Sequence, residues 1–125
     1  MLGQNARASD LASPGTPARH DAIVAGLAAQ VRAAPTGSTV RLAKATTNLF
    51  RPRDRPGART IRLDVSGLGS VLDVDPSSRI ATVQGMATYD TVVAATLAHG
   101  LMPTVVPQLR TITVGGAVTG LGIES

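Results

Sequence analysis

Four glycines fall within eight residues of this chain, at 115, 116, 120 and 122 in the stretch TITVGGAVTGLGIES, and only Ala117, Val118, Thr119 and Leu121 separate them. A backbone so poor in Cβ atoms can come closer to a neighbour than any other, at an entropic cost that the rest of the fold has to offset. Two readings follow from the residues alone. In one, the glycines let one strand lie tightly against another. In the other, successive main-chain N–H groups converge into a concavity that holds an anion, with Thr113, Thr119 and Ser125 adding hydroxyl donors. The order GGxxxGxG is neither the GxGxxG dinucleotide fingerprint nor a Walker loop, which would need a lysine. Gly116 and Gly120 satisfy GxxxG, but the apolar stretch is about a dozen residues long and broken by Thr111, Thr113 and Thr119. That is too short for a membrane helix pair, which needs about 20.

The segments before the glycines mix helix and strand signals. Residues 1–18 combine Gly, Ser, Pro, Asn and Ala without periodicity and read as a mobile arm. Thr16-Pro17 offers an N-cap followed by proline at the first helical position, and Ile23, Leu27 and Val31, flanked by Val24 and Ala28, form a stripe at helical spacing up to about Ala34. Pro35 and Gly37 end it. Thr39 to Ala43 is β-like, and the polar, cationic KATTNLFRPRDRPGAR reads as a long loop. Ile61, Leu63 and Val65 then alternate with polar neighbours, as a half-buried strand requires. SVLDVD and RIATVQG flank Asp75-Pro76-Ser77-Ser78, residues that suit a type I turn, so a hairpin is expected. Thr88 caps a second helix, with Asp90 in its first turn and Val92, Val93 and Leu97 on its buried side. His99-Gly100-Leu101 ends it, the glycine taking the left-handed conformation and Leu101 folding back. MPTVVPQLRTITV is extended, with two prolines that keep it from being an ordinary central strand. The glycine segment follows as a loop. Short strands and helices without strict alternation give an α+β class.

Composition narrows the chemistry. At 125 residues the chain holds one domain at most, and Phe50 and Tyr89 are its only aromatics, so its core is built from small aliphatic side chains. With no cysteine, disulfides, thiolate zinc sites and a cysteine nucleophile are excluded, and the cytosol is permitted. No apolar run resembles a signal peptide or a membrane span, which makes a cytoplasmic location the default expectation. The eight acids are scattered and give no metal cluster, and neither His20 nor His99 has a carboxylate or second histidine at ligand spacing, so both are read as structural. The formal charge is +4, and seven of the twelve cations lie from Arg41 to Arg62. That basic stretch can be a solvated loop, a nucleic-acid contact, or a second anion cradle around KATTN (44–48). Base stacking would need interleaved aromatics, of which only Phe50 is present, so nucleic acid is not the expected partner.

From Ile61 onward the chain resembles the FAD-binding domain of the vanillyl-alcohol-oxidase type, also called PCMH-type. The likeness is carried by a strand ending in Asp64, the GL turn at 67–68, the VDP hairpin at 74–76, VQGM at 83–86, a helix closing on HGL at 99–101, and TVGG at 113–116 with its trailing glycines. The ending TVGGAVTGLGIES is most similar to the diminuto-type sterol reductase subgroup. The likeness extends loosely back to Arg19, so the expected organisation is an arm over 1–18 and a partial PCMH-type domain over 19–125.

The resemblance implies the first subdomain of that domain, with FAD as cofactor and its diphosphate held by two loops. Carried over position by position, one loop comprises Thr113, Val114, Gly115, Gly116, Ala117, Val118, Thr119, Gly120, Leu121, Gly122, Ile123, Glu124 and Ser125. The other loop usually reads RGGGHS, and its histidine often bonds the flavin covalently. Here the place reads KATTNLF, which leaves Thr46, Thr47 and Asn48 as phosphate contacts and implies non-covalent FAD. The family continues with further strands and a substrate-binding cap that supply the catalytic residues. The chain is therefore expected to be the amino-terminal, FAD-holding part of an FAD-dependent oxidoreductase acting on a sterol-like or other small organic substrate. Alone it is expected to be inactive and to self-associate through the face that the missing half would cover. The competing readings are a non-catalytic fragment or pseudogene product and a basic nucleic-acid-binding module.

Overall fold

The computed structural model describes residues 15–44, 57 and 59–120. Helix α1 (Pro17–Arg32) opens as its sequence predicts: Thr16 Oγ1 accepts the Arg19 N–H at 3.3 Å, and Pro17 occupies the first turn. Its contact face is thin. Ile23 and Leu27 are half-buried, whereas Val24 and Val31 of the expected stripe are exposed. The helix stops two residues short of Ala34, whose N–H tightens onto the Val31 carbonyl ahead of Gly37 at φ +81°.

Strands β1 (Thr39–Ala43) and β2 (Thr60–Asp64) pair in parallel, from Thr39 opposite Thr60 to Ala43 opposite Asp64. Since successive side chains alternate between faces, this register puts Val40, Leu42, Ile61 and Leu63 on one side. Arg41, Ala43, Arg62 and Asp64 share the other. Leu63 and Val65 are buried, α1 packs against β2, and Ile23 Cδ1 lies 2.9 Å from where a Cβ on Gly67 would be.

Strands β3 (Val71–Asp75) and β4 (Ile80–Val83) form the expected antiparallel hairpin, closed by the pair Asp75 and Ile80. The turn is organised by one carboxylate. Asp75 accepts from the Ser77 N–H at 2.8 Å, the Ser77 hydroxyl at 2.6 Å and the Ser78 hydroxyl at 2.7 Å. Those donors, the Ser77 hydroxyl first, hold its acid well below the ordinary carboxylate range. Arg79 completes the reversal at φ +57°, a conformation uncommon for a residue with a Cβ.

Helix α2 (Tyr89–Leu97) starts at the Thr88 cap, packs against β3 and buries Val92 and Thr96. It ends in a Schellman arrangement around Gly100 at φ +69°, with Gly100 N–H donating to the Leu97 carbonyl and Leu101 N–H to the Thr96 carbonyl at 2.9 and 3.0 Å. Segment 101–112 runs outside regular strands, in keeping with its prolines.

The glycine segment corrects the sequence reading. Where it is described it is a helix, α3 (Val114–Thr119), and not a loop. Each glycine in a helix costs about 1 kcal/mol relative to alanine. Here tertiary bonds offset that cost: Val114 N–H donates to the Ala87 carbonyl and Gly115 N–H to the Gly85 carbonyl, both at 2.8 Å, while Thr113 Oγ1 caps Gly116 N–H at 3.1 Å.

One polar residue ties these pieces together. Gln84 is 3 % exposed, and its Oε1 accepts the Ser70 N–H at 2.8 Å, which orients its Nε2 toward His20 Nδ1 on α1 at 3.1 Å. Its main-chain N–H donates to the Ser70 carbonyl and its carbonyl accepts from Ala87 N–H, so both the amide and the backbone of this buried residue are satisfied. His20 thus has the structural role its isolation implied.

Candidate functional site

A parallel pair ends both strands on the same side, and ligands of open α/β sheets collect beyond those carboxyl ends. Here a cleft of about 480 Å³ opens there, lined by Ala43, Lys44, Arg62, Ser66, Met86, Thr88, Thr111 and Thr113. The near wall is built locally. Ala43 and Lys44 close β1, and Arg62 projects from the polar face of β2, the face it shares with Ala43. Ser66 sits on the following turn, where Asp64 Oδ1 accepts its N–H at 3.0 Å, and the same serine bonds hold the Asp64 carboxyl below its ordinary range.

The far wall is built by pairing two helix starts. Thr88 and Thr113, the caps of α2 and α3, form an antiparallel bridge. Tyr89 N–H donates to the Ile112 carbonyl at 3.0 Å and Asp90 N–H to the Arg110 carbonyl at 3.1 Å, with an exposed Arg110–Asp90 ion pair at 3.4 Å beside them. Gly85 and Gly115 are the contact that permits this approach, since a Cβ on Gly115 would lie 2.8 Å from the Gly85 carbonyl oxygen. The close-approach reading of the glycines therefore describes Gly115.

The amides of the first α3 turn point inward. Val114, Gly115, Gly116 and Ala117 donate to Ala87 O, Gly85 O, Thr113 Oγ1 and Thr113 O respectively. Of the described part of the glycine segment, Thr113 lines the cleft, and its Oγ1 accepts the Gly116 N–H. Of the residues carried over from the resemblance, Thr113 lines the cleft. Val114, Gly115, Gly116, Ala117, Val118, Thr119 and Gly120 make up α3 and its end and do not line it. Thr46, Thr47, Asn48, Leu121, Gly122, Ile123, Glu124 and Ser125 lie outside the described residues.

Sequence reasoning placed Lys44 in a possible second anion cradle (44–48) and missed Arg62, Ser66, Met86, Thr88 and Thr111 as site residues. A signal existed for Arg62, the polar-face position of an alternating strand. None existed for Thr88 and Thr111, which reach the cleft only through the bridge between the two caps. The donor set is one ammonium, one guanidinium and the hydroxyls of Ser66, Thr88, Thr111 and Thr113. Such groups match phosphate oxygens. Among the described residues no group of three His, Asp or Glu side chains could hold a metal, and no helix is long and apolar enough to cross a membrane.

Comparison with known proteins agrees with this chemistry. A family described as FAD binding domain matches residues 16–124. The Delta(24)-sterol reductase of Pisum sativum is 34% identical over 75 residues, which are 60% of this chain and 13% of that protein. The Delta(24)-sterol reductase of Homo sapiens is 33% identical, over 61% of this chain and 17% of its own length. The chain thus spans less than a fifth of the length of these curated relatives. No solved structure matches it.

Proposed function

This chain belongs to the FAD binding domain family, and we propose that it holds the diphosphate of FAD, without a covalent bond, in the cleft beyond the carboxyl ends of β1 and β2. The observation that carries the proposal is the cleft's lining: Lys44, Arg62 and four hydroxyls meet where two parallel strands stop. A volume of about 480 Å³ falls within the range of small-molecule sites, roughly 300–1,000 Å³. Non-covalent binding is supported by the histidines, since His20 is engaged with Gln84 and neither His20 nor His99 lines the cleft. Thr46, Thr47, Asn48 and the residues from Leu121 to Ser125 remain proposed contacts, because they continue directly from Lys44 and from α3.

When bound, the flavin supplies the redox chemistry. The chain's own residues bind and orient it: the cations neutralise phosphate charge, and the threonine hydroxyls fix its position between the two helix starts. The relatives named Delta(24)-sterol reductase extend the proposal to an FAD-dependent oxidoreductase acting on a sterol-like or other organic substrate, with this chain as the cofactor-holding part. Self-association is part of the same reading. It is supported by the exposed apolar side chains Val24, Val31, Val40 and Leu42 on α1 and β1.

Equilibrium dialysis of the purified chain against FAD, followed by acid precipitation, tests the binding and its kind. One flavin per chain, all of it released into the acid supernatant, is the expected result. A chain that retains no FAD refutes the cofactor assignment, and flavin that stays with the precipitate refutes the non-covalent one.

A further inference from the structure

Resting on the reading above, we propose that Arg62, seconded by Lys44, sets the cleft's affinity by side-chain charge, so that recognition follows the ligand's phosphates and not its ring. Three observations lead there. First, the in-register parallel pair sets Arg41 beside Arg62 on one face. Strands in a sheet lie about 4.8 Å apart, and like charges placed side by side across them oppose pairing. Second, among the described residues neither Arg62 nor Lys44 makes a hydrogen bond or ion pair that would explain it as part of the fold. The acid on the same face, Asp64, is already engaged by Ser66. Third, the first four N–H groups of α3 donate within the protein, so they cannot meet an anion's charge. Among the described residues, the cationic side chains that line the cleft are these two. A diphosphate, with a negative charge on each phosphate, is the chemical class that complements them.

The mode of binding has a signature of its own. Charge contacts at a solvent-open cleft are screened by salt, whereas hydrogen bonds from a buried amide cradle are screened much less. Arg62 is also exposed, so its loss should leave the fold intact.

The test titrates FAD into the wild-type chain, Arg62→Gln and Lys44→Gln, with ADP as a competitor and thermal unfolding recorded for each protein. Arg62→Gln is expected to weaken FAD roughly tenfold or more, the scale of a charge-assisted bond. It should weaken ADP by the same factor, because the phosphates are shared. Its melting temperature should stay level or rise. Raising NaCl from about 50 to about 500 mM should weaken FAD strongly for the wild type and clearly less for Arg62→Gln. Lys44→Gln, at the end of β1, should give the same pattern with a smaller loss. Wild-type FAD binding that ignores salt and both substitutions overturns the proposal while leaving FAD binding intact, as does ADP that fails to compete. A fall in the melting temperature of Arg62→Gln also overturns it, since the arginine would then belong to the fold. A wild-type chain that binds no FAD fails the functional reading itself.

Discussion

A methyl group at position 115 would meet the Gly85 carbonyl oxygen at 2.8 Å, and that oxygen already accepts the Gly115 N–H. Both partners are main chain, so neither can swing aside as a flexible side chain would. Gly26 is the natural contrast: it lies within α1, and nothing stands within 4 Å of the Cβ it lacks. One substitution should therefore have opposite signs at the two places. Gly115→Ala should destabilise the chain by about 1–3 kcal/mol through the forced backbone shift. Gly26→Ala should stabilise it by about 0.5–1 kcal/mol, because alanine is the better helix former and restricts the unfolded chain. Urea denaturation of both variants measures the two effects, and equal signs would contradict the contact between α3 and the segment after β4. A glycine count in the sequence cannot separate these cases. Gly115 is required by a carbonyl thirty residues away in the chain, brought close beside the Thr88–Thr113 bridge.

Two strands alone are marginal, and the turn between β3 and β4 is organised by Asp75. Its carboxylate accepts three donors, from Ser77 and Ser78, and its acid is shifted down. The sign of the consequence follows. A carboxyl whose folded value lies below its unfolded one contributes stability that is present above about pH 4, the unpaired aspartate value, and is lost as pH falls further. Asp75→Asn should thus be less stable than the wild type at neutral pH, and the gap should narrow as the solution is acidified below about pH 4. Thermal unfolding along that range checks it; a gap that does not change with pH would remove the carboxylate from the turn. This hairpin was legible in the sequence because its information is local: Asp, Pro and two serines between alternating strands. Both longer helices were legible for the same reason, through the Thr16 and Thr88 caps and the Gly100 stop. The parallel register of β1 and β2 was not, because nothing local to either strand specifies a partner across a loop. Nor was α3. Its glycines argue against a helix, and the opposing bonds come from the carbonyls of Gly85 and Ala87. The cleft inherits both gaps. Lys44 was legible as part of the KATTN stretch, whereas Arg62 joins it at one cleft only through the pairing of β1 with β2.

Parallel strands are usually covered on both faces. Here Val40 and Leu42 of β1 are 45% and 41% exposed, although their register partners Ile61 and Leu63 are half-buried and buried. Val24 and Val31 of α1 are exposed as well. The opposite face of the same strands carries Arg41 and Arg62, so the two sides of one small sheet face different chemistry: charge toward the cleft, aliphatic side chains toward water. Exposed apolar area drives association in proportion to the surface that contact removes from water, about 25 cal/mol per Å². Sedimentation velocity over a concentration series should therefore show a weight-average mass that climbs above 12.7 kDa. The double change Val40→Thr and Leu42→Thr places β-branched side chains at both strand positions, lowers the apolar area, and should return the chain toward the monomer. Because both residues point away from the Arg62 face, FAD affinity should be unchanged in that variant. Joint loss of association and of FAD binding would mean that the two faces are not independent, and that a second copy of the chain helps to form the cleft. Association that persists in the double variant would move the contact to other exposed apolar side chains, such as Ile80, Met102, Leu109 or Val118.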